Sequence, residues 1–437
     1  NNKNSLHEDY LKFIIKKEIE NFRLKIIKEE LFKTKIELFN CIKKNILKKI
    51  NYSLVNIING TGIVLHTGFG RAPFNSSLLI KIAKRIEGYT NLEFNLESGI
   101  RGDRQNHIKD HLSSICGSES GMIVNNNAGA VMLAINEIAQ GGGEVICSRG
   151  QLVEIGGSFR IPDIINKSGA ILKEVGTTNR THFYDYENAI TSKTKLLLQV
   201  HTSNYVVKGY SKSVKLLDLI KLGKKYDIPV MVDWGSGAFL DMKKYNVLRE
   251  IPIKSILKNG PDLVTFSGDK LIGGPQSGLI VGKKKLIDLL KKNTLYRTLR
   301  CNKITIALFE EVLRTYRIDL FKNENLSMVL LTRTQKELRE IGIHIFNSIK
   351  EEQINNFNIK LVKSLVEAGS GSLPEEKIKS MAFSFKHKNK SATELAFNFR
   401  NSYYPVVGYI SNDIFFIDLK AVIPNQIPKL IKSINKL

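Results

Sequence analysis

From Asn56 onward, short apolar runs alternate with longer stretches whose apolar residues recur at helical spacing. The runs cover residues 63–65, 121–124, 144–147, 195–200, 228–232 and 263–266. This alternation is typical of an α/β domain built on a mainly parallel sheet. Because ligands bind beyond the carboxyl ends of such strands, we expect the functional residues to follow these runs directly.

The two ends of the chain follow other patterns. Residues 1–55 contain no Gly or Pro, and their apolar residues recur every three to five positions, which predicts helix throughout. Residues 303–340 predict a long helix, and strand-like pieces follow it at 381–386, 406–410 and 414–419. We therefore predict three parts: a basic helical N-terminal arm over 1–55, a large α/β domain over 56–305 and a small α+β C-terminal domain over 306–437.

The chain is strongly basic, with 66 Lys and Arg residues against 42 Asp and Glu residues and a net charge of +24. Residues 1–50 hold 13 of the basic and 7 of the acidic residues, so the charge is denser in the arm than elsewhere. Such an excess favours a polyanionic partner, because neutralising phosphates releases counterions. A lysine-rich composition explains the total equally well, and a solvated helical face explains the arm nearly as well.

Composition excludes several classes of protein. Hydrophobic residues make up 42% and charged residues 25%, as in soluble globular chains that bury a large core. No stretch approaches the roughly 18 unbroken apolar residues of a membrane span. The cysteines (Cys41, Cys116, Cys147 and Cys301) show neither a CxxC pair nor a metal-ligand spacing, so we expect a cytoplasmic protein without a metal site. The chain begins at Asn1 without Met, and we expect some N-terminal residues to be missing.

The run 121–124 leads into a turn that is suited to an anion. Residues 125–130 are amides and small residues, and helical spacing follows over 131–139. At a helix N-terminus, unpaired N–H groups and the helix dipole favour a phosphate. An ordinary strand-to-helix cap would produce the same pattern.

Two further runs end in charged residues. Asp233 follows 228–232, where a buried carboxylate would need a cationic partner such as the protonated ring nitrogen of a ligand. A helix cap explains Asp233 equally well. Lys270 follows 263–266 and precedes a Gly-Gly-Pro turn and a second apolar strand. Burial beside small residues lowers the pKa of a lysine enough for it to form a Schiff base, although most lysines are simply solvated.

The order of these three features indicates a cofactor. The anion-binding turn comes first, Asp233 second, and Lys270 stands 37 positions after Asp233. Pyridoxal 5′-phosphate (PLP) requires an anion site, an acid at its pyridinium nitrogen and a lysine that binds its aldehyde. Together, the three features favour a PLP-dependent enzyme.

Several longer runs resemble the family of bacterial selenocysteine synthase, the L-seryl-tRNA(Sec) selenium transferases. They are Ile58–Thr67, Ser148–Asp163, Glu174–Thr181, Val200–Tyr205 and Ser267–Lys270. The similarity extends from about Asn56 to Tyr316, with weaker echoes at Gly369–Leu373 and Pro405–Leu419.

This resemblance implies a fold and a reaction. The fold would be that of a fold-type-I PLP-dependent transferase, similar to aspartate aminotransferase, in a cytoplasmic protein whose dimers assemble into a decamer. The reaction would convert L-seryl-tRNA(Sec) to L-selenocysteinyl-tRNA(Sec) through an aminoacrylate intermediate, with selenophosphate as selenium donor. The N-terminal arm, which is shorter than the tRNA-binding domain of the family, would contact the tRNA.

The resemblance also implies residue roles. Lys270 would hold PLP as an internal aldimine and then remove the Cα proton, while Asp233 would pair with the pyridine nitrogen. Ser267 joins the cofactor-binding set, and His201 is either a residue that stacks on the ring or a structural histidine. Asp269 or a phosphate oxygen of the cofactor would protonate the leaving hydroxyl. The phosphate cup would consist of Asn126, Asn127, Ala128 and Gly129, and selenophosphate would bind to Arg71, Arg297 and Arg300.

The arginines also make chemical sense without the resemblance. Arg297 and Arg300 are three positions apart, hence on one face if the segment is helical, and arginine forms bidentate contacts with phosphate. Arg71 follows the turn Gly68–Gly70, whose glycines permit the close approach of an anion. Arginines on basic helices are nevertheless usually plain surface residues.

Two other functions compete with selenium transfer. A related PLP-dependent lyase, acting on a small amino acid or an amino sugar phosphate without tRNA, would share the core. It would need neither the basic arm nor the pair Arg297 and Arg300, so their presence favours the tRNA enzyme. A tRNA-binding protein that has lost catalysis would lack the absorption of a lysine-bound cofactor.

Overall fold

The computed structural model describes residues 7–27, 35–50, 52–156, 159–202, 204–205, 207–245, 250–369 and 377–437. The chain divides into two compact units, Asn1–Ile57 and Ile58–Leu437. None of the described helices is both long enough and apolar enough to cross a membrane.

The first unit contains two helices, α1 (Glu8–Ile27) and α2 (Lys35–Ile50). The prediction of helix over 1–55 is confirmed for both, but residues 52–55 are not helical. Aromatic and β-branched residues and serine are weaker helix formers, and they dominate this short stretch. Parts of the predicted helix lie outside the described residues, namely 1–6, 28–34 and 51.

A partly buried ion pair joins the two helices. Glu18 lies on the buried face of α1, where its carboxylate accepts a hydrogen bond from Asn45 of α2 at 2.9 Å. The ammonium group of Lys49 lies 2.9 Å from the same carboxylate and lowers the pKa of Glu18. The exposed faces of both helices keep most of their lysines in solvent, so the charge of the arm is available to a partner.

The second unit alternates strands and helices. Its described strands are β1 (Ile58–Asn59), β2 (Ser120–Val124), β3 (Glu144–Ser148), β4 (Glu154–Ile155), β5 (Phe159–Arg160), β6 (Ile171–Val175), β7 (Thr194–Val200), β8 (Val230–Asp233), β9 (Leu263–Ser267), β10 (Gly278–Gly282), β11 (Lys360–Val366), β12 (Ile378–Phe385), β13 (Val406–Val407), β14 (Tyr409–Ser411) and β15 (Ile414–Asp418). Its described α-helices are α3 (Ser76–Ile86), α4 (Lys109–Cys116), α5 (Asn127–Ala139), α6 (Ile161–Lys167), α7 (Phe183–Ala189), α8 (Leu216–Tyr226), α9 (Ile253–Leu257), α10 (Lys284–Lys292), α11 (Thr294–Thr298), α12 (Lys303–Arg317), α13 (Phe321–Glu324), α14 (Leu326–Thr332), α15 (Gln335–Asn347), α16 (Glu351–Asn356), α17 (Ala392–Arg400) and α18 (Ile427–Ile434).

Among the described residues, seven strands form one sheet in the order β2-β10-β9-β8-β7-β3-β6. Strand β10 is antiparallel to both of its neighbours, β2 and β9, and the other neighbouring pairs are parallel. The prediction of a mainly parallel sheet is therefore confirmed. In this arrangement the carboxyl ends of β2, β7, β8 and β9 lie at the same edge of the sheet.

Five of the six predicted apolar runs are strands, namely β2, β3, β7, β8 and β9. The prediction for residues 63–65 was wrong, because these described residues form no strand. Gly62 has a left-handed φ of 78°, and the N–H of Leu65 donates a hydrogen bond to the carbonyl of Ala368 at 2.9 Å. The run is apolar because Val64 and Leu65 are packed in the core, not because they belong to a sheet.

Helices cover both faces of the large sheet. In β2, Met122 and Val124 pack in the same cluster as residues of α5, α6 and α10. Ile123 points to the opposite side and packs with residues of α4, α9 and α12. A strand that is buried on both faces has a continuous apolar sequence, which is why these runs could be recognised.

The predicted long helix over 303–340 is divided into several helices, so this prediction was wrong in its continuity. Helix α12 ends at Arg317, and Asp319 has a left-handed φ of 56°. A new helix, α15, begins after Thr334, whose side chain forms a capping box with Glu337. The Thr-x-x-Glu spacing is visible in the sequence and marks this boundary.

The C-terminal part contains an antiparallel sheet in the order β11-β12-β15-β14. The three predicted strand-like pieces correspond to β12, to β13 with β14, and to β15, so these predictions are confirmed. Strand β1 pairs in parallel with β13, with Ile58 opposite Val406. The predicted domain boundary between residues 305 and 306 stays a prediction.

Candidate active site

A cavity of about 280 Å³ lies at the edge of the sheet where β2, β7, β8 and β9 end. Most of the residues that were singled out in the sequence line this cavity. They are Arg71, Asn126, Asn127, Ala128, His201, Asp233, Ser267, Asp269 and Lys270. Gly129, Arg297 and Arg300 are not among its lining residues.

The turn after β2 combines a helix cap with an open helix end. Asn126 caps α5, and its side-chain oxygen accepts a hydrogen bond from the N–H of Gly129 at 2.7 Å. The N–H of Gly129 is therefore taken by the cap. A Cβ atom on Gly278 would lie 2.1 Å from the carbonyl oxygen of Asn126, so only glycine fits where β10 passes this turn.

Asn127 connects this turn to the acidic residue of the site. Its Nδ2 donates a hydrogen bond to Oδ1 of Asp233 at 2.9 Å. Its Oδ1 is buried and has no hydrogen-bond partner within the described part of the chain. A buried polar atom without a partner is costly, and a ligand that donates a hydrogen bond here would relieve that cost.

Asp233 is the last residue of β8 and is 4% exposed. Besides Asn127, Thr265 on the neighbouring strand β9 donates a hydrogen bond to its Oδ1 at 3.0 Å. Burial raises the pKa of Asp233, and the two hydrogen bonds and Lys270 oppose this rise. The next described α-helix, α9, begins only at Ile253, so Asp233 is not the cap of that helix.

Lys270 stands three residues after β9 and is also 4% exposed. Burial lowers the pKa of its ammonium group, and the positive charge of Arg71 lowers this pKa further. Asp233, Asp269 and Glu250 act in the opposite direction. A lysine whose pKa is lowered has a larger fraction of neutral amine, which is the form that acts as a nucleophile or a base.

His201 follows β7 and stacks on Trp234, with ring centroids 3.8 Å apart and an interplanar angle of 14°. Burial, assisted by the charge of Lys270, lowers the pKa of His201 to about 4. The imidazole is therefore neutral near pH 7. Its Nδ1 is buried without a hydrogen-bond partner among the described residues, so it is not held by a structural hydrogen bond at that atom.

Arg71 and Asp269 form an ion pair at the wall of the cavity. Nη1 of Arg71 lies 2.6 Å from Oδ2 of Asp269. Arg71 has a left-handed φ of 62°, which is uncommon for a residue with a side chain. A backbone conformation of this kind costs free energy, and such conformations cluster at functional sites.

The sequence placed Arg297 and Arg300 on one face if their segment is helical. In the structure they do not share a helical face. Arg297 lies in the short helix α11, which ends at Thr298, and its side chain is exposed. Arg300 lies beyond the helix and pairs with Glu93 at 3.2 Å. It is nevertheless near the anion-binding turn, because the carbonyl of Leu299 accepts a hydrogen bond from the N–H of Asn125 at 2.9 Å.

Some residues of the site were not found from the sequence. Thr265 reaches Asp233 because the parallel register of β8 and β9 places the two residues opposite each other, and no local pattern reveals such a partner. The cavity is also lined by Val153, Gly156, Phe159, Gly235 and Gln276. Three of these lie within the run Ser148–Asp163 that carries the family resemblance, which was the available signal.

The site thus offers an open helix end for an anion, a buried carboxylate for a cation and a buried amine with a lowered pKa. Among the described residues, no group of three or more His, Cys, Asp or Glu side chains is arranged to hold a metal ion. Perturbed titratable groups that converge on one cavity are typical of an enzyme active site.

Comparison with solved structures shows the fold. The D-glucosaminate-6-phosphate ammonia-lyase structure superposes with a TM-score of 0.61 and 16% identity, covering 90% of this chain and 97% of that chain. At this identity the likeness concerns the fold alone. The predicted fold class is that of the fold-type-I PLP-dependent transferases, an α/β fold with a small C-terminal α+β part, and it is confirmed.

Comparison of sequences shows the family. The chain is 42% identical over 398 residues to the L-seryl-tRNA(Sec) selenium transferase of Aquifex aeolicus, covering 91% of this chain and 87% of that protein. It is 40% identical over 430 residues to the enzyme of the same name from Caldanaerobacter subterraneus, covering 98% and 93%. The family model "SelA: L-seryl-tRNA selenium transferase" matches residues 57–423. The chain therefore belongs to the L-seryl-tRNA selenium transferase family.

Proposed function

We propose that this protein converts L-seryl-tRNA(Sec) to L-selenocysteinyl-tRNA(Sec) with PLP as cofactor and selenophosphate as selenium donor. The observation that carries the proposal is the convergence of the anion-binding turn, Asp233 and Lys270 on one cavity. Family membership supports the substrate. The test is incubation with seryl-tRNA(Sec) and selenophosphate, followed by identification of the aminoacyl group. Recovery of serine alone would contradict the proposal.

The residues of the cavity fit PLP. The N–H groups at the start of α5, apart from that of Gly129, would hold its phosphate. The buried Oδ1 of Asn127, which lacks a partner among the described residues, would need a hydrogen-bond donor and not a phosphate oxygen. Asp233 would hold the protonated ring nitrogen, since a cation offsets the cost of burying the carboxylate. Lys270 is the buried amine that would bind the aldehyde. A cofactor with these three chemical features would match the start of α5, Asp233 and Lys270.

When bound, PLP supplies an electron sink that acidifies the Cα–H bond of the seryl group. Lys270 would accept that proton at Nζ, because its lowered pKa leaves a neutral amine available. Asp233 would remain anionic beside the ring and keep it cationic. Asp269 would be the acid for the leaving hydroxyl once it has left its ion pair with Arg71 and bound a proton, or a phosphate oxygen of the cofactor would take this role. The ion pair of Asp269 with Arg71 brings both residues to the same wall.

Arg71 is proposed to bind selenophosphate, because it is the predicted arginine that lines the cavity. Replacing Arg71 with Ala is expected to raise the KM for selenophosphate about 10- to 100-fold, the range for the loss of hydrogen bonds to a charged group. The KM for seryl-tRNA should change little. Steady-state kinetics with each substrate varied in turn would measure both values.

The matched control is Arg85→Ala, which removes an arginine that pairs with Glu310 away from the cavity. Arg71→Lys keeps the charge but not the bidentate geometry, and an intermediate effect is expected. An unchanged KM for selenophosphate in Arg71→Ala would remove this residue from the donor site. Arg297 and Arg300 stay predicted ligands of selenophosphate, and Arg300 would first have to exchange its partner Glu93.

The N-terminal arm is proposed to bind tRNA. Deletion of residues 1–50 is expected to abolish tRNA binding and to leave PLP bound, because the cavity lies wholly in the second unit. In the full chain, the double substitution Lys43→Glu with Lys44→Glu should weaken tRNA binding. It should also make the slope of log K against log salt concentration shallower, by about one unit for each phosphate that is no longer neutralised. Filter binding at several salt concentrations measures both effects.

The control for the charge reversal is Lys336→Glu with Lys388→Glu, which alters two exposed lysines outside the arm. If both double variants weakened binding equally, the arm would have no special role and only the total charge would matter. Unchanged tRNA affinity after the deletion would show that the charge of the arm is compositional.

The alternative, a lyase acting on a small amino acid or an amino sugar phosphate without tRNA, is not favoured. The ammonia-lyase is 16% identical in sequence to this chain, whereas the two selenium transferases named above are 42% and 40% identical to it. The cytoplasmic location and the assembly of dimers into a decamer stay predictions. Light scattering of the purified protein would measure the number of subunits.

A further inference from the structure

Trp234 is the single tryptophan of the sequence, and it stacks on His201 directly beside the cavity described above. His201 lines that cavity, whereas Trp234 does not. Both rings line a second, polar cavity of about 390 Å³. Within the described part of the chain, His201 is the residue that the two linings share, so its ring stands between the two cavities.

The indole of Trp234 is held in place by a hydrogen bond to a buried carboxylate. Nε1 of Trp234 donates a hydrogen bond to Oε1 of Glu250 at 2.7 Å, and the hydroxyl of Ser236 donates to the same oxygen. Glu250 is 3% exposed, and Ser236 is fully buried. A hydrogen bond to a buried carboxylate is stronger than one between neutral groups, so the plane of the indole is fixed.

These contacts form a chain of support that runs from Glu250 through Trp234 to His201. The N–H of His201 also donates to the carbonyl of Asp233 at 2.9 Å, which fixes the backbone beneath the imidazole. The charged groups near this assembly include Lys270, whose charge acts on His201, Glu250, which accepts from Trp234, and Lys212, which lines the polar cavity. Stacking and one backbone bond hold the imidazole, while its Nδ1 has no partner among the described residues.

We propose that Glu250 and Trp234 are positioning residues that clamp the ring of His201 as a partition between the cofactor cavity and the neighbouring polar cavity. This inference rests on the proposed function for its role in catalysis. The partition would keep water of the polar cavity away from the reacting atoms, which is what a site that adds a nucleophile other than water requires. The clamp itself is a property of the folded chain and can be measured without substrate.

The experiment uses the fluorescence of Trp234 in the full-length protein with PLP added. In Glu250→Ala, the loss of a hydrogen bond to a charged acceptor should raise the population of displaced indole about tenfold or more, so acrylamide should quench the emission more strongly. Energy transfer from the indole to the bound cofactor should also change. Glu250→Gln retains an acceptor oxygen and should restore part of the protection.

A second variant tests the stack. In the parent protein, protonation of His201 near pH 4 should quench Trp234, and this step should be absent in His201→Phe. Glu187→Gln, which alters a half-buried carboxylate paired with Lys225, is the matched control. Equal acrylamide quenching in Glu250→Ala and the parent would overturn the clamp.

Activity then separates the clamp from the proposed function. With the clamp loosened, kcat for selenium transfer should fall while the KM for seryl-tRNA stays near its parent value. Increased quenching together with an unchanged kcat would overturn the partition role. If the parent chain transferred no selenium at all, the proposed function would fail, and the quenching result would still decide whether Glu250 holds Trp234.

Discussion

Replacing Lys270 with Ala is expected to abolish selenium transfer and to remove the visible absorption of the bound cofactor. Lys270 is both the amine that would bind the aldehyde and the base that would take the Cα proton. Removal of a general base alone costs about 10²- to 10⁴-fold in rate, and loss of the covalent attachment adds to that. Single-turnover assays with seryl-tRNA(Sec) and absorption spectra of the purified variant measure the two effects.

Lys283→Ala is the matched control, since Lys283 is an exposed lysine that pairs with Asp262. It should retain both the absorption and the activity. Treatment of the parent protein with borohydride should fix the cofactor on the peptide that contains Lys270. Finding the cofactor on another lysine, or full absorption in Lys270→Ala, would contradict the assignment.

The pH dependence of the rate follows from the same residue. A base must be neutral to accept a proton, so kcat should rise as pH increases through the pKa of Lys270. Burial and the charge of Arg71 place that pKa below the ordinary value of a lysine. In Arg71→Ala the rise should therefore move to higher pH, because a neighbouring positive charge that disfavours the ammonium form is lost.

Replacing Asp233 with Asn is expected to lower kcat by about 10²- to 10⁴-fold, the factor that corresponds to the cost of breaking a buried ion pair by removing one partner. Asparagine has the same shape but cannot keep the ring nitrogen protonated. Its amide oxygen can still accept from Asn127 and Thr265, which both donate to Oδ1 of Asp233, but an NH2 group then replaces the second carboxylate oxygen. Cofactor affinity, measured by absorption titration, should fall as well.

Asp262→Asn serves as the control for this substitution, because Asp262 accepts a hydrogen bond from the N–H of Val230 at the other end of β8. It should affect stability more than catalysis. The decisive quantity is kcat per folded molecule, with the folded fraction measured separately. An Asp233→Asn variant that is less stable but fully active per folded molecule would exclude the proposed role.

The sequence allowed the edge of the sheet to be predicted because strands buried on both faces leave continuous apolar runs. Because the carboxyl ends of parallel strands lie at one edge of a sheet, the recognised runs predicted that Asp233 and Lys270 lie close together. Partners that lie on different elements could not be predicted this way. Thr265 reaches Asp233 through strand register, and Glu250 reaches Trp234 from a separate segment.

The errors in the sequence prediction have a common physical cause. An apolar run such as 63–65 can be buried in the core either as a strand or as irregular chain, and its composition does not distinguish the two conformations. The continuous helix over 303–340 was predicted from apolar spacing, which persists across a short break. Arg297 and Arg300 were expected on one face only if their segment is helical, and α11 ends between them, so that condition is not met.

The reversed direction of β10 has a mechanical consequence for the enzyme. The ten residues that link β9 to β10 return immediately to the sheet, so the loop that bears Lys270 is tethered at both ends. Where the returning strand begins, Gly278 abuts the carbonyl of Asn126, leaving no room for a methyl group. The amine and the turn proposed to hold the phosphate therefore cannot move independently, and their spacing is set by backbone contact instead of by flexible side chains.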